Sequence, residues 1–163
     1  MKRIVLLRHA KSSWDDPALS DHDRPLAPRG RRAIAMVADH VRANGLRVDL
    51  VLCSSALRAR ETLERLGDAF GEAEVLVEDG LYAASDDELL ERLRRLPDEV
   101  GSVAMIGHNP GLHDLAVALT RAGRTLERYP TGALAELSFD GAWSELGSGH
   151  SKLVDFVKPK DLE

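Results

Sequence analysis

Four residues of this sequence have the side chains needed for phosphoryl transfer, and each closely follows a short apolar run. Arg8 and His9 follow the first run, Arg58 a second, and His108 a third. A neutral imidazole is a good nucleophile near neutral pH because its pKa is about 6.5. Attack on phosphorus would give a covalent phosphohistidine. Arginine forks fit phosphate oxygens and could hold the charge that develops. These residue types therefore favour phosphoryl transfer to a histidine.

The apolar runs have the length of strands, and the segments between them have helical periodicity. Uninterrupted runs indicate buried strands, and alternation indicates a half-exposed strand. We predict strands over residues 4–7, 48–53, 75–77, 103–106, 133–139 and 153–157. We predict helices over residues 31–44, from Ser54 or Ser55 to about 70, from 86 to about 97, and over 112–122. Alternating strands and helices predict an α/β fold, a three-layer α/β/α sandwich with a mainly parallel central sheet.

This topology would bring the four candidate residues to one place. In open α/β sheets, ligands bind outside the carboxyl ends of the strands. Helix N-termini that begin there would add N–H groups suited to an anion. Residues 13–30 hold aspartates, serines and prolines, and we interpret them as a long functional loop.

Composition narrows the classes of function. The 163 residues fit one domain, and the net charge of -5 argues against a nucleic-acid partner. No apolar stretch is long enough for a membrane span, so we expect a cytoplasmic protein without a membrane partner. Cys53 is the only cysteine; it allows no intrachain disulfide and is expected to be a buried strand residue. The remaining histidines show no spacing suited to a metal.

Three motifs resemble those of the histidine phosphatase superfamily. Arg8-His9-Ala10 resembles the family's opening Arg-His-Gly, and Ser12 and Trp14 continue it. Residues 54–62, Ser-Ser-Ala-Leu-Arg-Ala-Arg-Glu-Thr, resemble the second signature, and Gly107-His108 the third. The short chain and the stretch Asp-Arg-Pro-Leu at 23–26 resemble the compact SixA-like phosphohistidine phosphatases.

The resemblance implies a phosphoglycerate mutase-like fold, with residues 1–163 forming one histidine phosphatase domain without a cap insertion. It implies that His9 is the nucleophile and that Arg8, Arg58 and His108 bind the phosphoryl group. It also implies that neither a metal nor a cofactor is needed. The expected partner is a phosphorylated protein carrying phosphohistidine, or a small phosphorylated substrate.

The sequence departs from the family pattern at three positions, and two of them bear on the general acid. Ala10 replaces the usual glycine and implies a negative φ there. Asp15 stands where mutase relatives have a phosphate-contacting Asn, so we expect it to point elsewhere or to donate a proton. Asn109 stands where acid phosphatases carry a catalytic Asp. The candidate acids are Asp15 and Glu78, with Asp16, Asp21, Asp23 and Asp79 as further options.

A site without a well-placed acid should favour substrates with good leaving groups. Neutral imidazole leaves far more easily than an alkoxide, and acid catalysis contributes about 10²–10⁴-fold. We therefore expect phosphoramidates or aryl esters as substrates. The alternatives are a small-molecule phosphomonoesterase, a phosphoglycerate mutase-like enzyme, and a non-catalytic phosphate-binding module. Arg24, Ser12 and Thr131 are further candidates for binding substrate. Trp14 is either a lid aromatic or a packing residue, and we favour packing.

Overall fold

Six strands form one mixed sheet in the computed structural model, which describes residues 1–163. The strands are β1 (Lys2–Arg8), β2 (Leu50–Ser54), β3 (Glu74–Glu78), β4 (Ser102–Gly107), β5 (Leu134–Phe139) and β6 (Lys152–Val157). Strand β1 pairs with β4, and β2 with β3 and β4, all in parallel. Strand β5 runs antiparallel to both β1 and β6. The spatial order is β3-β2-β4-β1-β5-β6.

Four helices cover the two faces of this sheet. They are α1 (Pro28–Ala43), α2 (Leu57–Leu66), α3 (Asp86–Arg94) and α4 (Gly111–Thr120). Apolar side chains of α1 and α2 share one core cluster, and those of α3 and α4 share a second on the opposite face. This arrangement confirms the predicted three-layer α/β/α sandwich with a mainly parallel sheet.

Strand β1 shows why the apolar runs are uninterrupted. Ile4 and Leu6 face the cluster with α3 and α4, whereas Val5 and Leu7 face the cluster with α1 and α2. A strand covered on both faces has no solvent-facing position to carry a polar residue. Cys53 is buried as expected, and burial raises the pKa of its thiol to about 12.

The structure shifts some predicted boundaries for identifiable reasons. Helix α2 begins at Leu57, and its N-cap residue is Ala56, which has no polar side chain to cap the helix. Ser54 is the last residue of β2, and its hydroxyl accepts the Ala56 N–H. The helix ends at Leu66, since Gly67 takes a φ of 55°. Strand β3 lies at the sheet edge, so its five residues are exposed or half-buried.

The long loop between β1 and α1 is folded back on itself. The Ala27 N–H donates to the Lys11 carbonyl at 2.9 Å, and the Ser13 N–H donates to the Pro25 carbonyl at 2.8 Å. A Cβ on Gly30 would lie 2.1 Å from the Lys11 carbonyl oxygen, so this approach of α1 requires glycine. The residues after His9 are thereby fixed against the start of α1. None of the helices has the length and apolar content needed to cross a membrane.

Candidate active site

The carboxyl ends of three adjacent strands bring the predicted residues together. Arg8 on β1 lies beside Gly107 on β4, and Cys53 on β2 lies beside Ile106 on β4. A cavity of about 250 Å³ opens at this edge. It is lined by Arg8, His9, Lys11, Ser12, Trp14, Arg24, Arg58, His108, Asn109 and Thr131. All seven residues predicted for catalysis or substrate binding, apart from the two candidate acids, therefore line one cavity.

His9 is held as a neutral imidazole whose Nε2 is unprotonated. Its Nδ1 lies 2.7 Å from the Ala10 carbonyl oxygen, which only accepts, so Nδ1 carries the hydrogen and donates. Burial is the main cause that lowers the pKa of His9, to about 3, and the charges of His108, Arg58 and Arg8 lower it further. The unprotonated Nε2 therefore keeps its lone pair, which accepts a long hydrogen bond from the Arg58 Nε at 3.4 Å. This arrangement suits nucleophilic attack by Nε2.

Thr62 fixes the backbone that carries this nitrogen. The Ala10 N–H donates to the Thr62 hydroxyl at 3.0 Å, and that hydroxyl donates to the Arg58 carbonyl at 2.7 Å. One turn of α2 thus connects the residue after His9 to Arg58. Glu61 acts similarly by accepting the Leu26 N–H at 2.8 Å. Glu61 and Thr62, the last two residues of the second motif, therefore fix the backbone around the site.

His108 lies against His9, with the two ring centroids 5.0 Å apart. Its Nε2 is 2.7 Å from the Ser54 hydroxyl oxygen, which already accepts the Ala56 N–H. If the hydroxyl donates to Nε2, neutral His108 carries its hydrogen on Nδ1. That Nδ1 is buried and has no partner within the protein. Burial, followed by the charge of Arg58, lowers the pKa of His108 to about 4.

Arg8 offers a second unpartnered donor to the cavity. Its Nη1 donates to the Tyr129 carbonyl at 3.2 Å, whereas its Nε is buried without a partner. Burial and the nearby Arg58 lower the pKa of Arg8 from its ordinary value. Buried donors without an acceptor are costly, so Arg8 Nε and His108 Nδ1 suit an anion that accepts from both.

Asp21 connects the arginines of the cavity, a relation that the sequence reasoning did not find. Its carboxylate accepts from Arg58 Nη2 at 3.0 Å, Arg24 Nε at 3.1 Å and the Tyr82 hydroxyl at 2.6 Å. The hydrogen bond from Tyr82 is the largest of the causes that lower the pKa of Asp21 to about 2. Asp21 is thus ionised at neutral pH and positions arginines rather than supplying a proton.

The loop after β1 contributes the outer wall. Arg24 is buried despite its charge, and its Nη1 donates to the Ser12 hydroxyl at 2.7 Å and to the Ser13 carbonyl at 3.3 Å. The favoured prediction that Trp14 packs in the interior is wrong, because Trp14 is exposed at the rim of the cavity. The loop places the guanidinium of Arg24 directly under the indole ring of Trp14, and the ring therefore lies on the surface.

The two candidate acids do not reach this cavity. Asp15 is exposed and is not one of the residues that line the cavity. Glu78 lies on β3 and accepts from Arg92 through both oxygens, at 2.7 and 3.0 Å, beside a different surface cleft. Neither Asp15 nor Glu78 is therefore placed to protonate the leaving oxygen of an alkyl ester. No three His, Cys, Asp or Glu side chains are grouped so that they could hold a metal.

Comparison with known proteins gives consistent results along the whole chain. Residues 4–85 match the model of the histidine phosphatase superfamily (branch 1). An uncharacterized protein of Mycobacterium tuberculosis is 38% identical over 94% of this chain and 100% of its own length. The phosphohistidine phosphatase SixA of Escherichia coli K12 is 34% identical over 90% of this chain and 89% of its own.

A solved structure agrees with these sequence matches. The putative phosphohistidine phosphatase SixA from Nakamurella multipartitia superposes with a TM-score of 0.87 and 33% identity. The superposition covers 97% of this chain and 96% of that one. By its sequence, its fold and the residues gathered in its cavity, the chain belongs to the histidine phosphatase superfamily, branch 1.

Proposed function

We propose that this protein is a phosphohistidine phosphatase that forms a covalent intermediate on His9. The observation that carries this proposal is the lining of the His9 cavity. The lining contains four cationic side chains, those of Arg8, Lys11, Arg24 and Arg58, and every other lining residue is histidine or neutral. Such a cavity binds a phosphoryl group strongly but offers no carboxylic acid to a leaving group.

The first step is an in-line displacement at phosphorus. His9 Nε2 forms the new P–N bond while the bond to the substrate's imidazole nitrogen breaks, and the bonding electrons leave with that nitrogen. The His9 Nδ1–H stays hydrogen-bonded to the Ala10 carbonyl oxygen, and this hydrogen bond stabilises the positive charge that develops on the ring. Arg8, Arg58 and His108 donate to the equatorial oxygens, where the transition-state charge is spread.

The second step is hydrolysis of the phosphoenzyme. The oxygen of water attacks phosphorus, the P–Nε2 bond breaks, and His9 leaves as neutral imidazole with its Nδ1–H intact. Both hydrogens of the water end on the product, which leaves as dihydrogen phosphate. The low pKa of His9 favours this departure, because the neutral ring is the stable form in this site.

The leaving group explains the preference for an N–P bond. A phosphohistidine that is protonated on its second ring nitrogen departs as neutral imidazole and needs no proton from the enzyme. An alkoxide needs one, and the nearest carboxylate to Arg58, Asp21, is ionised. The similarity to SixA of E. coli, which is named a phosphohistidine phosphatase, supports the same substrate class.

Comparison of two substrates tests this proposal. We expect kcat/KM for a phosphohistidine peptide to exceed that for 3-phosphoglycerate by about 10²-fold, the lower end of what a general acid contributes. Release of inorganic phosphate and of the dephosphorylated product measures both rates. A rate on phosphoglycerate equal to or above that on phosphohistidine would favour the small-molecule phosphomonoesterase instead. Transfer of phosphate between positions without release would favour a mutase.

A further inference from the structure

Trp14 is a tryptophan exposed to solvent at the mouth of the cavity. It is 73% exposed, whereas Trp143, the other tryptophan, is fully buried in a core cluster. Trp14 nevertheless lines the same cavity as His9. Isolated apolar side chains on a surface need no explanation, but an aromatic ring that forms part of a polar cavity wall is typical of a ligand contact.

The indole ring is held in place from one side only. The guanidinium carbon of Arg24 lies 3.4 Å from the ring centroid, a cation–π stack. Arg24 is itself only 7% exposed and is fixed by the Asp21 carboxylate and the Ser12 hydroxyl. One face of the indole therefore rests on a rigid cation, and its high exposure leaves the opposite face free for another planar group.

The direction of the reaction places the leaving group near this free face. In an in-line displacement, the leaving atom lies on the side of phosphorus opposite the nucleophile. His9 is 6% exposed and forms the buried end of the cavity, while Trp14 forms its exposed rim. A leaving group displaced by His9 Nε2 therefore projects toward the rim.

We propose that Trp14 is a specificity-determining residue that stacks on aromatic leaving groups, the imidazole of phosphohistidine or an aryl ring. This inference rests on the proposed function, since it assumes attack by His9. The Arg24 beneath the indole offsets the loss of ring mobility, because the ring is ordered before the substrate arrives. Alkyl and acyl leaving groups would gain little from the same surface.

Selectivity between two substrates whose leaving groups are both better than an alkoxide tests the proposal. Phenyl phosphate carries an aromatic leaving group and acetyl phosphate does not. We expect W14A to lower the ratio of kcat/KM for phenyl phosphate to that for acetyl phosphate by about fivefold to tenfold, the size of one aromatic contact. W14F should keep the ratio within about twofold of wild type, because phenylalanine retains a stacking face.

Leu19 provides the matched control. It is a partly exposed apolar residue of the same loop, at 38%, and does not line the cavity. L19A should leave the ratio unchanged. Equal loss of both activities in W14A, or no loss, would overturn the role of Trp14. Failure of the proposed function would look different: phosphohistidine would be a poor substrate of the wild type, whatever the ratio in W14A.

Fluorescence provides a readout that does not depend on turnover. In a His9→Ala background, binding of phenyl phosphate should change tryptophan emission more than inorganic phosphate does. The additional W14F substitution should remove most of that change, since Trp143 is buried away from the cavity. A change of the same size after W14F would contradict stacking on Trp14.

Discussion

Replacing His9 by alanine is expected to lower kcat for phosphohistidine and aryl phosphates by about 10⁴-fold or more, as loss of a nucleophile does in other covalent enzymes. His9 Nε2 is the imidazole nitrogen that lies 3.4 Å from the Arg58 Nε, and the Ala10 carbonyl fixes the orientation of its ring. His108 cannot replace it, because its Nε2 is engaged by the Ser54 hydroxyl. Initial rates of phosphate release measure the effect.

Binding should survive this substitution. Arg8, Arg58 and His108 remain in His9→Ala, so inorganic phosphate should still bind with an affinity within about tenfold of wild type, measured by calorimetry. His40→Ala is the matched control, because that histidine lies on α1 beside Asp155, away from the cavity. A His9→Ala protein that is folded and keeps a tenth of the wild-type kcat would contradict the nucleophilic role.

Replacing Arg58 by alanine is expected to lower kcat/KM by about 10³-fold, the upper end of the effect of removing one donor from a transition-state site. Arg58 is buried, and its Nε lies 3.4 Å from His9 Nε2, close to where the phosphorus must arrive. Its two terminal nitrogens are fixed by Asp21, through the backbone carbonyl at 2.7 Å and the carboxylate at 3.0 Å. The guanidinium is therefore preorganised before substrate binds.

One further variant separates the charge of Arg58 from its shape, and a second serves as a control elsewhere on the helix. Arg58→Lys should recover only a small part of the activity, since an ammonium cannot reproduce the planar fork. Arg65→Ala removes an exposed arginine from the last turn of the same helix and should change kcat/KM by less than about twofold. Steady-state kinetics with phenyl phosphate measure all three, and a loss below tenfold in Arg58→Ala would contradict its role.

The elements that deliver the site could be predicted from sequence because each rests on a local pattern. Three apolar runs predicted buried strands, and polar residues at their carboxyl ends predicted the shared cavity. The strand register confirms that juxtaposition, with Arg8 beside Gly107. Arg24 also lines the cavity as predicted, although its ion pair with Asp21 is not visible in any sequence pattern.

The contacts that position these groups could not be predicted in the same way. Asp21 and Tyr82 are 61 residues apart in the chain, and neither belongs to a periodic pattern, so their hydrogen bond depends on tertiary structure. From sequence, Asp21 is only one of four further options for the acid, behind Asp15 and Glu78. The sequence predicts that α2 begins at Ser54 or Ser55, but strand β2 continues through Ser54, whose hydroxyl lies against His108. The packing role predicted for Trp14 was wrong because the Arg24 beneath it is buried and the indole rests on top.

Trapping of the phosphoenzyme tests the central claim most directly. Wild-type protein is mixed with an aryl phosphate, quenched during the first turnovers, digested under alkaline conditions and analysed by mass spectrometry. We predict a phosphate that is stable to base and labile to acid on the peptide containing His9, and none on that peptide in His9→Ala. Phosphate on another residue, or steady turnover with no covalent adduct at any quench time, would contradict the mechanism.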